Sequence, residues 1–387
     1  MQRGVTGQFT NRSVGGETVR AFVPYPLPPE PLPQLAGTLA RLHESALLAC
    51  GRLDAVTQLL PEPELFLYAY VRREALLSSQ IEGTQSSISD LLLFEIDEAP
   101  GVPFDDVVEV SNYIRALEHG LSRIREGFPL SNRLLREMHG LLLARGRGSD
   151  KQPGEFRTTQ NWLGGTRPGN AAFVPAPPDQ LQGAMAELEL FLHAEDPPLS
   201  ALTRASLAHV QFETIHPFLD GNGRMGRLLI VLVLHTQNIL RQPLLYLSLY
   251  LKKHRQEYYR LLDRCRFQGD WEAWLDFFFI GVQETAEGAV ETANRLIRLF
   301  AEDRRAIQNL GRASDNALKI FEQLRQRPLT GLPQLADRAG VAFQTAARAI
   351  AALEKLGIVE EITGRKRDRV FAYRGYIEIL NEGAEPI

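Results

Sequence analysis

Apolar residues recur at helical spacing through most of the chain. Leu39, Leu42, Leu47, Leu48 and Leu53 predict a helix over about 35–60, which Pro61 and Pro63 break. Leu65, Leu67, Tyr68, Val71 and Leu76 predict a second over about 64–79. It runs into Ser78-Ser79-Gln80-Ile81-Glu82-Gly83, where Gly83 is a stop signal. Further helices are expected at about 86–94, 105–126, 131–145, 179–195, 200–214, 222–241, 254–266, 270–284 and 287–310. Two stretches lack the period. Residues 1–35 crowd Pro24, Pro26, Pro28, Pro29, Pro31 and Pro33 together, so an extended arm lying over another surface is expected there. Arg157 to Pro178 set Gly164-Gly165 and Pro168-Gly169-Asn170 between short strand-like runs, which reads as a β-hairpin or a loop.

Beyond Arg312 the pattern changes. Ala317 to Arg325 reads as one helix, Gly331 to Ala336 opens a second, Gly340-Val341 is a turn, and Gln344 to Leu356 is a third. Ile358 to Ile362, Gly364 to Asp368 and Arg369 to Tyr373 then give strand, turn, strand. Helix, helix-turn-helix and wing make a winged helix over 315–375. The expected fold is mainly α. An arm and helix occupy 1–60, a helical core 61–310 with a helix at about 64–83 and a flap at about 157–178, and the winged helix follows.

Composition narrows the class. At 387 residues, 44% hydrophobic and 23% charged, the chain has the profile of a soluble globular protein of two or three domains. Its 43 basic and 47 acidic side chains give a net charge of −4, which argues against a nucleic-acid coat or a polybasic membrane binder. Cys50 and Cys265 stand alone, so neither a disulfide framework nor a zinc site is expected. The first residues lack a signal peptide's apolar region, and the longest apolar run, Leu228 to Leu234, is too short to span a bilayer. A cytoplasmic location without membrane contact is the expectation.

The chemistry is concentrated in His216-Pro217-Phe218-Leu219-Asp220-Gly221-Asn222-Gly223-Arg224-Met225-Gly226-Arg227. Asn222 suits a helix cap. Gly221 and Gly223 let backbone amides approach a ligand, and the following helix start makes an anion hole for phosphate. Arg224 and Arg227, three apart, share a helix face and can bracket a polyphosphate. Asp220 supplies a carboxylate for Mg²⁺ beside those phosphates. His216 offers an imidazole that can take a proton from an attacking hydroxyl. Singly, each feature is ordinary: a His before Pro is usually structural, and paired arginines usually form a solvated face. Their coincidence in one short segment is what carries weight.

This segment resembles the signature of the Fic family, HxFx[DE]GNGRxxR, with every specified position met. Members are mostly AMP transferases. The resemblance implies that His216 is the general base activating a Ser, Thr or Tyr hydroxyl of a target protein, and that Asp220 holds Mg²⁺ against the α- and β-phosphates of ATP. It implies an anion hole from Gly221, Asn222 and Gly223, phosphate binding by Arg224, and pairing of Arg227 with the γ-phosphate. Arg157 to Pro178 resembles the flap that aligns an extended target segment. Gln211 occupies a position that can face the nucleotide in relatives, and His254 stands where relatives often carry Asn near the adenine.

Ser78 to Gly83 also matches the family's inhibitory pattern [ST]xxxE[GN]. The implied brake is an ion pair of Glu82 with Arg227 that displaces the γ-phosphate, with Ser78 fixing Glu82. Self-modification and, because relatives often dimerise, a homodimer are further implied. In the winged helix, Thr345, Arg348, Arg365, Lys366, Arg367 and Arg369 can touch DNA phosphates, although such modules also dock proteins. Rival readings are a nucleotide-sensing transcriptional regulator, or a Fic enzyme that transfers another nucleotide or phosphate group or removes AMP.

Overall fold

A computed structural model describes residues 3–59, 63–96, 101–242, 244–365 and 367–385. Pro61 and Lys366, singled out above, lie outside the described residues. The chain begins with strands β1 (Gly7–Val14) and β2 (Glu17–Pro24), then α1 (Thr38–Leu59), α2 (Pro63–Ile81), α3 (Ile88–Phe94), α4 (Phe104–Arg125) and α5 (Asn132–Leu142). There follow α6 (Pro178–His193), α7 (Ala201–Ile215), α8 (Asn222–Thr236), α9 (Ser248–Lys253), α10 (Arg255–Gln268) and α11 (Trp271–Gln308). The C-terminal elements are α12 (Ser314–Gln326), β3 (Leu329–Gly331), α13 (Leu332–Arg338), α14 (Phe343–Lys355), β4 (Val359–Glu361), β5 (Val370–Tyr373) and α15 (Arg374–Asn381).

These elements form two compact units, residues 1–55 with 108–287 and residues 56–107 with 288–387. In the first unit α7 is buried along its whole length and α8 over nearly all of it. Helices buried all round belong at the centre of a core. Trp274 of α11 donates its indole N–H to the Ser206 carbonyl at 3.1 Å and lies near-parallel to the His209 ring, 5.9 Å away. That contact ties α7 to α11.

The N-terminal arm also forms a hairpin, which was not expected from the sequence, ahead of its proline-rich stretch. β1 and β2 pair antiparallel with Val14 opposite Glu17. Gly15 and Gly16 both take positive φ, 59° and 83°, the requirement of a tight two-residue hairpin turn. Phe22 is buried, and its N–H donates to the Val174 carbonyl at 2.8 Å, so the hairpin braces the end of the 157–178 segment.

That segment is a loop rather than a regular hairpin. It has one bridge, Leu163 with Phe173, and a 3₁₀ turn at Pro168–Asn170. Another departure is α11, a single helix where a break between 284 and 287 was expected. Neither proline nor a capping residue interrupts it there, and Gly288 costs an exposed helix only about 1 kcal/mol.

In the second unit α12, α13 and α14 pack around Ile320, Phe321, Leu335, Ile350 and Leu353, all buried, beside a sheet ordered β3-β5-β4. Strand β3 is only three residues long, too short for a periodic signal. Helix α15 follows β5 directly and buries Tyr376, Ile377, Ile379 and Leu380, so ordered structure extends past residue 375. Helices α2, α3 and α15 pack together here. Gln80 donates to the Ser86 and Ala384 carbonyls at 3.0 and 2.9 Å, and Arg73 donates to the Glu382 carbonyl.

Trp274→Ala is expected to destabilise the first unit by about 3–5 kcal/mol, because it opens a cavity under α7 and removes the indole's additional hydrogen bond to the Ser206 carbonyl. Urea unfolding monitored by circular dichroism measures this.

Candidate active site

The loop between α7 and α8 has a chain reversal at each end. His216 caps α7 in the left-handed region, with φ 51° and ψ 62°. A non-glycine residue holds that conformation only where its surroundings enforce it. Arg157 does so here. It is buried, and it donates through Nε to the His216 carbonyl at 2.9 Å and through Nη1 to the Thr159 carbonyl at 3.3 Å. Its Nη2 reaches the Ala176 and Ile215 carbonyls, and its backbone N–H donates to Pro217 at 3.0 Å. Burial lowers the guanidinium pKa to about 10, still cationic at neutral pH.

Asn222 holds the other end. Its Oδ1 accepts from the Phe218 N–H at 2.9 Å, and its Nδ2 donates to the Phe218 carbonyl at 2.8 Å. Asn161 adds a donor to the same carbonyl at 3.1 Å. Asn222 is thus the first residue of α8 and a clasp across the loop, while Gly221, at φ 75°, occupies the cap itself. The first intrahelical bond runs from Met225 N–H to the Gly221 carbonyl. The amides of Asn222, Gly223 and Arg224 therefore precede the helical ladder, as at any helix start, and are suited to an anion.

His139, which the loop motif does not include, supports the turn from below. Its ring stacks on Phe218 with centroids 3.7 Å apart and planes 5° from parallel. Gly154 N–H donates to its Nδ1 at 2.9 Å, so the proton sits on Nε2, which donates to the Asp220 carbonyl at 3.0 Å. Burial lowers the His139 pKa to about 4, keeping the ring neutral in this tautomer.

The charged groups converge beside it. Asp220 is part-exposed, accepts the Gly221 N–H through Oδ1 at 2.6 Å, and lies 3.9 Å from Arg224. A Cβ on Gly148 would fall 2.6 Å from Asp220 Oδ2, so the backbone there passes close to the carboxylate. Arg224 is buried and pairs at 3.3 Å with buried Glu109, which Arg147 also grips through both oxygens at 3.0 and 3.1 Å. Burial raises the Glu109 pKa, with Arg224 and Arg147 opposing that shift. Two guanidiniums thus face the buried Glu109 carboxylate beside the helix start, with Asp220 as the second acid within reach of Arg224.

Arg227 is buried on the same helix. Close by, Gly226 admits the side chain of Glu213, since a Cβ there would meet Glu213 Oε1 at 2.3 Å. The Gly226 carbonyl lies 2.9 Å from His209 Nδ1, and His209 Nε2 lies 2.8 Å from the Tyr258 hydroxyl.

The loop residues His216 and Asp220 to Arg224 are thus assembled at one turn. Gln211 is placed otherwise: its Nε2 donates to the Tyr25 carbonyl at 2.9 Å, so its amide serves the N-terminal arm. His254 joins α9 to α10 and packs on Tyr250 and Phe277, with centroids 4.5 and 6.3 Å away. Glu82 and Gly83 form the turn that ends α2, where Glu82 N–H donates to the Ser79 carbonyl at 3.0 Å, Gly83 takes φ 102°, and Ser78 is buried in the last turn.

Sequence reading missed Arg157, His139 and Glu109 as site residues. A signal existed for two of them. His139 falls on the apolar face made by Leu134, Leu135, Met138 and Leu142, and Glu109 interrupts the apolar run of Val107, Val108 and Val110.

Residues 40–122 match the family model described as Fic/DOC family N-terminal, and residues 129–234 match the one described as Fic/DOC family. These stretches carry a Fic/DOC N-terminal region and a Fic/DOC domain. It is 28% identical over 189 residues to a protein adenylyltransferase Fic of Drosophila grimshawi, covering 48% of this chain and 36% of that protein. A protein of the same description from Culex quinquefasciatus is 34% identical over 145 residues, covering 37% and 26%. The chain therefore spans about a quarter to a third of the length of these curated relatives. The crystal structure of a Fic family protein from Desulfovibrio desulfuricans G20 superposes with a TM-score of 0.57 at 20% identity, over 90% of this chain and 99% of that one, which is a likeness of fold. Among the described residues, no helix is long and apolar enough to cross a membrane.

Stability is expected to fall with acid. The pKa values of His139 and His209 are both lowered by burial, from about 6.5 to about 4, so the unfolded chain binds more protons between those values. Their contribution is complete above pH ~6.5 and is lost as pH falls toward ~4. Thermal melts across that window should show a falling Tm, and His139→Gln should flatten part of the slope.

Proposed function

We propose that this protein transfers AMP from ATP to a hydroxyl side chain of a target protein at the 216–227 loop, with Glu82 as a built-in brake. The observation that carries the reading is the loop itself: a helix start with three leading amides, flanked by Asp220 and Arg224, in a loop whose His216 backbone is locked by Arg157. The names of the relatives support the same reaction class.

In this reading the amides of Asn222 to Arg224 and the guanidiniums of Arg224 and Arg227 receive the phosphate chain. His216 takes the proton of a Ser, Thr or Tyr hydroxyl, and the freed oxygen attacks the α-phosphorus. A new P–O bond forms, the α–β anhydride bond breaks, and pyrophosphate leaves with the electron pair. Most of the rate enhancement then comes from positioning and from charge neutralisation by groups already in place.

A Mg²⁺ ion fits the donor set. Asp220 presents one part-exposed carboxylate, and among the described residues no cluster of three or more His, Cys, Asp or Glu is placed to hold a metal. One carboxylate completed by phosphate oxygens is a usual arrangement for Mg²⁺. When bound, the ion would neutralise charge on the α- and β-phosphates.

Glu82, at the end of α2, would compete as a carboxylate with the γ-phosphate, and buried Ser78 one turn earlier would steady it. We read residues 315–375 as a winged helix. The bonds from Gln80 and Arg73 to residues 382–384 anchor α2 within its own unit. Arg348, Arg365 and Arg367 of the module are exposed.

Intact-mass spectrometry after incubation with Mg-ATP tests the reading. Glu82→Gly should gain adducts of one AMP mass several-fold over wild type, and His216→Ala should abolish them. Equal labelling of wild type and Glu82→Gly overturns the brake. Undiminished labelling of His216→Ala overturns the chemistry.

A further inference from the structure

Buried Glu109 of α4 serves two arginines that hold it in different ways. Arg147 is half-exposed and donates to it twice, from Nε to Oε1 at 3.0 Å and from Nη2 to Oε2 at 3.1 Å. Arg224 is buried, and its Nη1 lies 3.3 Å from the same Oε1, yet neither that Nη1 nor its Nε has a hydrogen-bond partner. Its Nη2 lies 3.9 Å from Asp220 Oδ1, beyond hydrogen-bond range. Arg224 is therefore held by charge alone, with buried donors unmet. Buried donors are rarely left so, because each was stripped of water without a replacement.

The difference follows from geometry. Two parallel N–H bonds to both oxygens are the strongest pairing a carboxylate makes with an arginine, and Arg147 has taken that side of Glu109. A second guanidinium is left with a Coulombic contact. The same pairing also ties down the backbone that follows α5. Asn112, one turn along α4, donates from Nδ2 to the Arg145 carbonyl at 2.9 Å, and Gly148 brings the chain against Asp220. Any role for Arg147 has to be told apart from this mechanical one.

We propose that Arg147 is a positioning residue for nucleotide binding: by occupying Glu109 it leaves Arg224 loosely held, so that Arg224 can pair with a phosphate. This rests on the reading of the 216–227 loop as a nucleotide site. Arg147 needs no contact with the nucleotide to act in this way. In its absence Glu109 turns both oxygens to Arg224, and a buried, well-aligned pair of this kind is hard to break. An incoming phosphate then competes with a carboxylate already in place.

Calorimetric titration of the full chain carrying Glu82→Gly with a non-hydrolysable ATP analogue and Mg²⁺ tests this. Adding Arg147→Gln should weaken binding about tenfold, the worth of the phosphate contact that Arg224 gives up. Arg147→Lys keeps the charge and should recover most of that loss. Combining Arg147→Gln with Glu109→Gln should restore affinity, because the competing carboxylate is gone. If Arg147 only held the backbone down, the double variant would bind no better than Arg147→Gln, and that result overturns the proposal. Because Glu109→Gln can cost folding, Asn112→Ala gives a second arm. It cuts the other tie to the same backbone and should leave affinity unchanged, whereas a loss equal to that of Arg147→Gln overturns the proposal. Parent binding with no effect of Arg147→Gln overturns the proposal alone. A folded parent that binds no nucleotide overturns the nucleotide reading and the proposal with it.

Discussion

The carbonyl oxygens of the loop between α7 and α8 have to be satisfied by side chains, because both helices run through the core and leave water little access. Three residues meet that demand from three directions. Arg157 takes the carbonyl of His216, Asn222 that of Phe218, and His139 that of Asp220. Each bond is worth only about 1–2 kcal/mol in stability, yet an unmet buried carbonyl costs about as much or more, so the loop has one arrangement. That arrangement fixes the His216 backbone, the Asp220 backbone and the start of α8 within one short loop.

The same economy explains the charges. Arg224 is too buried to be held as a solvated cation, and Glu109 supplies its counter-charge at 3.3 Å. Arg147 adds a second guanidinium to that carboxylate and, with Asp220 3.9 Å from Arg224, two cations and two carboxylates stand together there. Gly148 contributes by what it lacks, since any side chain there would press on Asp220.

Much of this was legible along the chain. The long helices announce themselves through Leu and Val at helical spacing, and the loop through the density of its chemical features. What could not be read are interactions set by tertiary contact. Arg157 stands 59 residues from the carbonyl it holds, and Gln211 turns to Tyr25 because the arm folds back over α7. The hairpin at 7–24 escaped notice because the prolines at 24–33 that follow it governed the reading of the whole segment, although Gly15-Gly16 offered a turn signal. Strand β3 owes its pairing entirely to β5. The grouping of residues 56–107 with 288–387 is likewise invisible to a reading that proceeds in order.

The claim at the centre is that this turn gathers a nucleotide's phosphates. Calorimetric titration of a non-hydrolysable ATP analogue with Mg²⁺ into Glu82→Gly, and into the same protein carrying Arg224→Gln, measures it directly. The account predicts at least about a tenfold weaker affinity for the double variant, the worth of one charge-assisted phosphate contact. Equal affinities, with both proteins folded, would contradict it.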